Sequence, residues 1–216
     1  MQLEAYLERD DRIVLPLGST EQHAYLSLET DNVLAERVSV EAAEPLGVVV
    51  LPVLAYGVTP RFAAYPGSPS ISQETYVTLL QELTASLRGQ GFRRILLVNG
   101  HGGNSFAAER VSGDGVRWHD WWNSPPIRAL VDEIDPEGSH ASWMENFPWT
   151  RLEGVVLPEE HKPNLGVIEA TDPGEYRRIA GDGSFGGWYE RPDEEMLKIW
   201  EAGVAEVREL LESRWS

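Results

Sequence analysis

Short apolar stretches that alternate with longer amphipathic stretches most constrain the fold of this chain. Short apolar runs are typical of buried strands, and longer stretches with apolar residues about 3.6 positions apart are typical of helices. The strand-like runs are residues 13–17, 48–51, 95–98 and 116–121. The helix-like runs are residues 32–43, 73–88, 105–111 and 193–213. Because strands that alternate with helices form parallel crossover units, the sequence predicts an α/β fold with a mostly parallel sheet and helices on both faces.

Length and charge restrict the classes of protein to consider. A chain of 216 residues predicts one domain over residues 1–216, and the lack of cysteine excludes disulfides and thiolate zinc ligands. The formal net charge of −17 disfavours nucleic acid and anionic membranes as partners. It also disfavours a strongly anionic substrate unless a metal compensates. The N-terminus lacks a signal-peptide pattern and no apolar run reaches the length of a membrane span, so we expect a cytoplasmic protein.

The stretch of residues 18–31 carries the first group of candidate metal ligands. Glu21, His23 and Asp31 follow directly after the first strand-like run. Two carboxylates and an imidazole that leave a strand end can converge on one divalent ion, and oxygen and nitrogen ligands suit zinc, manganese or iron(II). The alternative is a polar loop in which Asp31 is only the N-cap of the following helix.

Residues 99–104, NGHGGN, follow the third strand-like run in the same way. Three glycines around His101 allow a sharp turn and the close approach of a ligand. Functional groups of open parallel sheets collect at the carboxyl ends of the strands, which is where both polar clusters are expected. The alternative is a strand-to-helix turn with an incidental histidine. A phosphate-binding loop is excluded because no Lys-Ser/Thr follows and the glycine spacing matches neither nucleotide-binding motif.

Several motifs in one order resemble the creatininase family of metal-dependent amidohydrolases. The matching segments are residues 17–23 (LGSTEQH), 28–31 (LETD), 56–58 (YGV), 65–67 (YPG), 72–75 (SQET) and 99–104 (NGHGGN), with His140 followed five residues later by Glu145. They extend from about residue 12 to residue 146. The resemblance implies a three-layer α/β/α fold with a mostly parallel central sheet, a small-molecule substrate and a homo-oligomer, a hexamer in relatives.

The resemblance also implies a site. Glu21, Asp31 and His101 are expected to hold one divalent metal, and His23 and Asp31 a second, with Asp31 bridging. Zinc is the first choice, with manganese or iron as alternatives, and one or two ions per subunit are expected. His140 is expected to move protons, and Glu145 is expected in the active-site region as a catalytic residue or an additional metal ligand.

Three positions depart from the pattern of creatininase itself. Creatininase has a glutamate where this chain has Gly103, so the second metal lacks a ligand unless Glu145 or water replaces it. The stretch between His23 and Asp31 is one residue shorter and lacks a second histidine. Trp143 stands where some relatives have glutamate, which argues against creatinine as the substrate.

These observations favour an enzyme that hydrolyses a C–N bond of a small molecule, an amide, a cyclic amide or a formamide, by metal-activated water. The first alternative is an accessory peptidase or deformylase of a cofactor biosynthesis pathway. The second is a non-catalytic family member that binds metal. Residues 54–75 are expected to border the substrate or to form a surface loop. Trp143 and Trp149 are expected in a pocket wall or in the core. Residues 150–192 are expected to be loop-like, with no role for His161.

Overall fold

The computed structural model describes residues 2–215, and its centre is a parallel sheet of four strands. The strands are β1 (Arg12–Leu17), β2 (Val49–Val50), β3 (Arg94–Asn99) and β4 (Val116–Asp120). Their order in the sheet is β2-β1-β3-β4, and every pairing is parallel. The prediction of a mostly parallel sheet is confirmed. Strand β2 is shorter than the predicted run of residues 48–51.

Seven α-helices surround or follow the sheet in the described part of the chain. They are α1 (Gln2–Leu7), α2 (Thr30–Ala43), α3 (Gln73–Gln90), α4 (Ala108–Val111), α5 (Pro125–Ile134), α6 (Pro173–Ala180) and α7 (Asp193–Glu212). The predicted helix at residues 105–111 is instead a 3₁₀ segment, Gly102–Ala107, followed by α4. Helices α1 and α5 were not predicted, and α6 lies in a stretch that was expected to be loop-like.

Alternate residues of the strands face two separate cores, which is why helices cover both faces of the sheet. Ile13, Leu15 and Leu17 pack into a core that includes residues of α1 and α3. Val14, together with Leu96 of β3, packs into the opposite core with residues of α2, α5 and α7. The chain therefore has the expected three layers, with helices on both sides of the sheet.

The two polar loops leave adjacent strands at the same edge. Leu17 pairs with Asn99 at the ends of β1 and β3, and the Gly100 amide donates to the Leu17 carbonyl at 2.8 Å. Asn104 then joins three segments, because its side chain donates to the Gly18 carbonyl at 3.1 Å and accepts from the Val58 amide at 3.1 Å. These bonds hold the loops after β1, β2 and β3 together above the sheet.

A third, smaller apolar cluster covers this edge from outside. It joins the 3₁₀ segment Pro60–Phe62 to α6 and to residues before and after it. Its buried members are Phe62, Tyr65, Ile168, Tyr176 and Ala180. The late part of the chain therefore forms a wall above the ends of the strands. None of the helices formed by residues 2–215 combines the length and apolar character needed to cross a membrane.

Candidate metal centre

The four residues predicted from the two loops meet at one point in the structure. His23 Nε2 lies 3.0 Å from one carboxylate oxygen of Asp31, and His101 Nδ1 lies 3.0 Å from the other. Glu21 Oε1 is 3.3 Å from the same His101 nitrogen. All four side chains are buried. Asp31 thus stands between the two imidazoles, with one oxygen turned toward each.

Asp31 is not the N-cap of α2, as the alternative interpretation required. Helix α2 begins at Thr30, its N-cap is Glu29, and no side chain caps it. Asp31 lies in the first helical turn, where the helix dipole favours a carboxylate. Its oxygens point to the histidines and leave the backbone of the helix uncapped.

Backbone carbonyls fix the orientation of each imidazole. The second ring nitrogen of His101, Nε2, lies 3.2 Å from the Val58 carbonyl, and that of His23, Nδ1, lies 3.1 Å from the Glu21 carbonyl. A carbonyl oxygen accepts, so each of these nitrogens carries hydrogen, and the other ring nitrogen is the one that faces the carboxylates and is available to a cation. Metal-ligating histidines are oriented by hydrogen bonds of this kind.

Glycine at position 103 is required by the geometry around His101. A Cβ added to Gly103 would lie 2.1 Å from the Val58 carbonyl oxygen and 2.4 Å from His101 Nε2. These are the two atoms of the bond that orients His101. The glutamate that creatininase has at this place therefore does not fit the present backbone.

Glu145 approaches the same nitrogen of His23 that faces Asp31. Its Oε2 is 3.8 Å from His23 Nε2 and accepts a hydrogen bond of 2.6 Å from the Ala141 amide. Ala141 has a positive φ of 56°, and this tight turn directs residues 140–145 back toward the site. His140 and Glu145 are not on a common helix, so their spacing around a helix axis does not separate them.

His140 completes the cluster from above. Its Nε2 lies 3.1 Å from the Gln22 carbonyl, so its Nδ1, 3.7 Å from Glu21 Oε1, presents the lone pair. The rings of Phe62 and Phe185 lie 5.1 Å and 4.7 Å from the imidazole, measured between ring centres. The two aromatic rings keep His140 in one orientation.

The ionisable groups shift the pKa values of one another. Burial alone would lower the pKa of His23, but the charge of Asp31 raises it to about 10. Burial also opposes a charged His101, yet the charge of Glu21 holds its pKa well above the usual value. Burial would raise the pKa of Asp31, but the neighbouring histidines keep it below its usual range. Without a bound cation, both imidazoles therefore hold a proton at neutral pH.

Glu145 and His140 shift in different ways. Burial raises the pKa of Glu145 to about 7, although the charge of His23 acts against this. Burial, and then the positive charge of His23, lower the pKa of His140 to about 4. His140 is therefore a neutral imidazole at pH 7, and Glu145 is close to its midpoint.

The donor atoms suit divalent cations. Three groups of donors lie close enough to share an ion: Glu21, Asp31 and His101; His23, Asp31 and Glu145; and Glu21, His23 and His140. The first two share Asp31. Glu21 Oε2 is buried and has no hydrogen-bond partner in the described part of the chain, which is costly unless a cation binds it. Nitrogen and oxygen donors in this arrangement fit zinc or manganese.

A cavity of about 710 Å³ opens above the cluster. Residues 58–62 line it, as expected of a loop that borders a substrate. The lining residues that were not predicted include Arg128, Asn164, Tyr176 and Phe185. The last three come from the stretch that was expected to be loop-like, and no local pattern marks them because only long-range packing brings them to the cavity. Trp143 is fully buried in the core and Trp149 packs against it, so neither forms the cavity wall.

The comparisons with known proteins agree with this geometry. A family profile described as "Creatininase: Creatinine amidohydrolase" matches residues 1–211. The chain belongs to the creatininase family. It is 38% identical over 141 residues, 59% of its length, to the mycofactocin precursor peptide peptidase of Mycolicibacterium smegmatis. It is 32% identical over 145 residues, 58% of its length, to the creatinine amidohydrolase of Pseudomonas putida.

The shared region is shorter than these relatives. It spans 53% of the peptidase and 56% of the amidohydrolase, so the chain spans about half the length of the relatives it matches. A solved structure described as "Creatininase Mn" superposes with a TM-score of 0.76 at 22% identity and covers 98% of this chain and 95% of the other. At this identity, the superposition shows that the fold is shared and confirms the predicted α/β architecture.

Proposed function

We propose that this protein is a metal-dependent hydrolase of a C–N bond, an amide, a cyclic amide or a formamide, in a small molecule. One observation carries the proposal: two donor groups share Asp31 at the floor of a cavity that is large enough for a small substrate. Membership of the creatininase family supports the same reaction class.

The first ion would be held by Glu21, Asp31 and His101, and the second by His23, Asp31 and Glu145. Glu145 would then supply the carboxylate that the second ion lacks because position 103 is glycine. A divalent ion lowers the pKa of bound water from about 15.7 to about 7 and polarises an amide carbonyl, which makes hydrolysis feasible at neutral pH. Zinc remains our first choice, and the solved relative described with manganese supports that metal as the alternative.

His140 would move the proton that the reaction requires. Its Nε2 is held on the Gln22 carbonyl, so only Nδ1, which faces Glu21, is free to accept a proton. A neutral imidazole can accept a proton at Nδ1 and pass it to the departing nitrogen, which cannot leave as an anion. Phe62 and Phe185 exclude water from one side of the ring and keep Nδ1 directed at the site.

A second candidate is the hydrolysis of a peptide-derived precursor. The relative with 38% identity is described as a peptidase of this kind. The cavity of about 710 Å³ is also large enough to hold a segment longer than one amino acid. A non-catalytic metal-binding protein is the third candidate.

Metal analysis and a substrate panel test these candidates together. We expect purified protein to carry one or two divalent ions per chain by elemental mass spectrometry. In a panel of lactams, formamides and short peptides, we expect turnover of at least one class. A chelator should abolish this turnover, and zinc or manganese should restore it. Glu21→Gln and His101→Ala should lose turnover while remaining folded, and His161→Gln, which is outside the cluster, serves as the control. Full turnover in both cluster variants would exclude this site, and metal binding without turnover of any amide would favour the non-catalytic candidate.

We further propose that residues 1–216 form a single domain and that the protein is a cytoplasmic homo-oligomer, a hexamer by family resemblance. Val156 and Val167 are each 86% exposed, and their burial between subunits would be favourable. One cooperative unfolding transition is expected for a single domain. Light scattering should give a multiple of the chain mass of 24.1 kDa, and a monomer would contradict the expectation. Cell fractionation tests the location.

A further inference from the structure

The cavity wall contains an arginine without an acidic partner. Arg61, in the 3₁₀ segment Pro60–Phe62, lines the cavity. Its guanidinium lies 5.9 Å from the centre of the Tyr176 ring, and no carboxylate among residues 2–215 lies within ion-pair distance of it. The chain has 35 acidic and only 18 basic residues, so carboxylates are abundant, and yet none in the described residues pairs with Arg61.

The other arginine of the cavity is already paired. Arg128 of α5 also lines the wall, but it donates to Asp132 at 3.1 Å. Arg61 therefore differs from Arg128 because its charge is not compensated. An uncompensated cation at the wall of a reaction cavity is suited to an anionic group of a ligand, since guanidinium matches carboxylate and phosphate in geometry.

Arg61 is tied to the proposed metal site by its neighbours in the chain. Val58, three residues before it, accepts the hydrogen bond that orients His101, and Phe62, directly after it, packs on His140. Between them, Thr59 has a buried hydroxyl with no hydrogen-bond partner in the described residues, although it lines the cavity. One short segment thus places an uncompensated cation on the cavity wall beside the residues that contact His101 and His140.

Tyr176 lines the cavity together with this segment and with Glu21 of the proposed metal site. Its pKa is raised to about 12, first by burial, while the charge of Arg61 lowers it and that of Glu21 raises it. Arg61 and Glu21 are therefore both close enough to the Tyr176 hydroxyl to influence its ionisation. A small molecule can extend from the proposed metal ligands to Arg61.

We propose that the substrate of this hydrolase is an anionic amide, with a carboxylate or phosphate that pairs with Arg61 while its C–N bond lies at the proposed metal site. This inference rests on the proposed function. Positive charge at the site also answers the objection that a net charge of −17 disfavours an anionic substrate. Two divalent cations would exceed the charge of Glu21, Asp31 and Glu145 by one, and Arg61 adds another positive charge.

Hydroxamates provide a test that does not depend on turnover, because a hydroxamate anchors on divalent metal. Three series of increasing chain length would be compared on the metal-loaded protein by calorimetry: one ends in a carboxylate, one in a phosphonate and one in a neutral carboxamide. We expect one charged series to bind about 10- to 100-fold more tightly than the carboxamide at the best length. Which of the two does so identifies the anionic group.

Two methionine variants separate the role of Arg61 from a general charge effect. Arg61→Met should abolish the preference for the charged series. Arg178→Met changes the net charge equally but lies on α6, paired with Glu175 at 3.5 Å and outside the cavity wall, and it should retain the preference. Arg128→Met should also retain it, and loss of the preference there but not in Arg61→Met would overturn the assignment.

The remaining outcomes are distinct. Equal binding of charged and neutral hydroxamates at every length, with the metal-dependent anchor intact, would refute the inference and leave the proposed function standing. No metal-dependent binding of any hydroxamate would refute the proposed function, and the inference with it.

Discussion

Metal uptake by this site should release protons, and the number follows from the structure. The pKa of His23 is raised to about 10 and that of His101 lies well above its usual value, so both imidazoles are protonated at pH 7 in the metal-free protein. A metal binds only neutral imidazole. Each ion must therefore displace one histidine proton. Glu145, with a pKa of about 7, adds about half a proton to the second ion.

The expected total at pH 7 is thus between about two and three protons for two ions. The sign of the pH dependence follows from it. Raised histidine pKa values oppose binding at low pH, and this opposition declines as pH rises toward about 10 for His23. With two protons displaced, the overall constant for two ions should rise roughly 100-fold between pH 7 and pH 8.

Calorimetry measures the proton number directly. Zinc or manganese is titrated into chelator-treated protein in buffers of equal pH and different ionisation enthalpy, and the slope of observed heat against that enthalpy is the number of protons released. His161→Gln should leave this slope unchanged, since His161 lies outside the cluster. A slope near zero, together with an affinity that does not change with pH, would refute the proposal that these imidazoles are protonated ligands.

Three further changes have expected outcomes. Gly103→Ala places a Cβ 2.1 Å from a backbone carbonyl oxygen and should weaken metal binding about 10- to 100-fold in a chelator competition, whereas Gly89→Ala, which meets nothing within 4 Å, should not. His140→Gln should lower kcat about 10²- to 10⁴-fold with unchanged metal content, and an unaltered kcat would exclude a proton-transfer role. Trp143→Phe removes the 3.0 Å hydrogen bond to buried Asp135 and should lower the free energy of unfolding, measured in urea, by about 1–3 kcal/mol. An unchanged free energy of unfolding would contradict this expectation and indicate that water replaces the lost bond.

The positions of Glu21, His23, Asp31 and His101 were predictable from the sequence. Both loops follow short apolar runs that are typical of buried strands, and the carboxyl ends of parallel strands lie at the same edge of a sheet. The pairing of Leu17 with Asn99 puts the two loops side by side. Two missed helices also had local signals, because α5 begins with prolines after Ser124 and α6 begins after Asp172, whose side chain accepts from the Glu175 amide.

The tertiary structure alone decided the rest of the site. The orientation of Glu145 toward His23 depends on the turn at Ala141, and the free charge of Arg61 depends on which carboxylates lie nearby in space. Neither property has a periodic or compositional signal. Local sequence determines where a strand ends and which polar groups follow it, because backbone propensity and burial act over a few residues. Which distant side chains complete a cavity is determined by packing between segments more than 100 residues apart, as the bond of His140 to the Gln22 carbonyl illustrates.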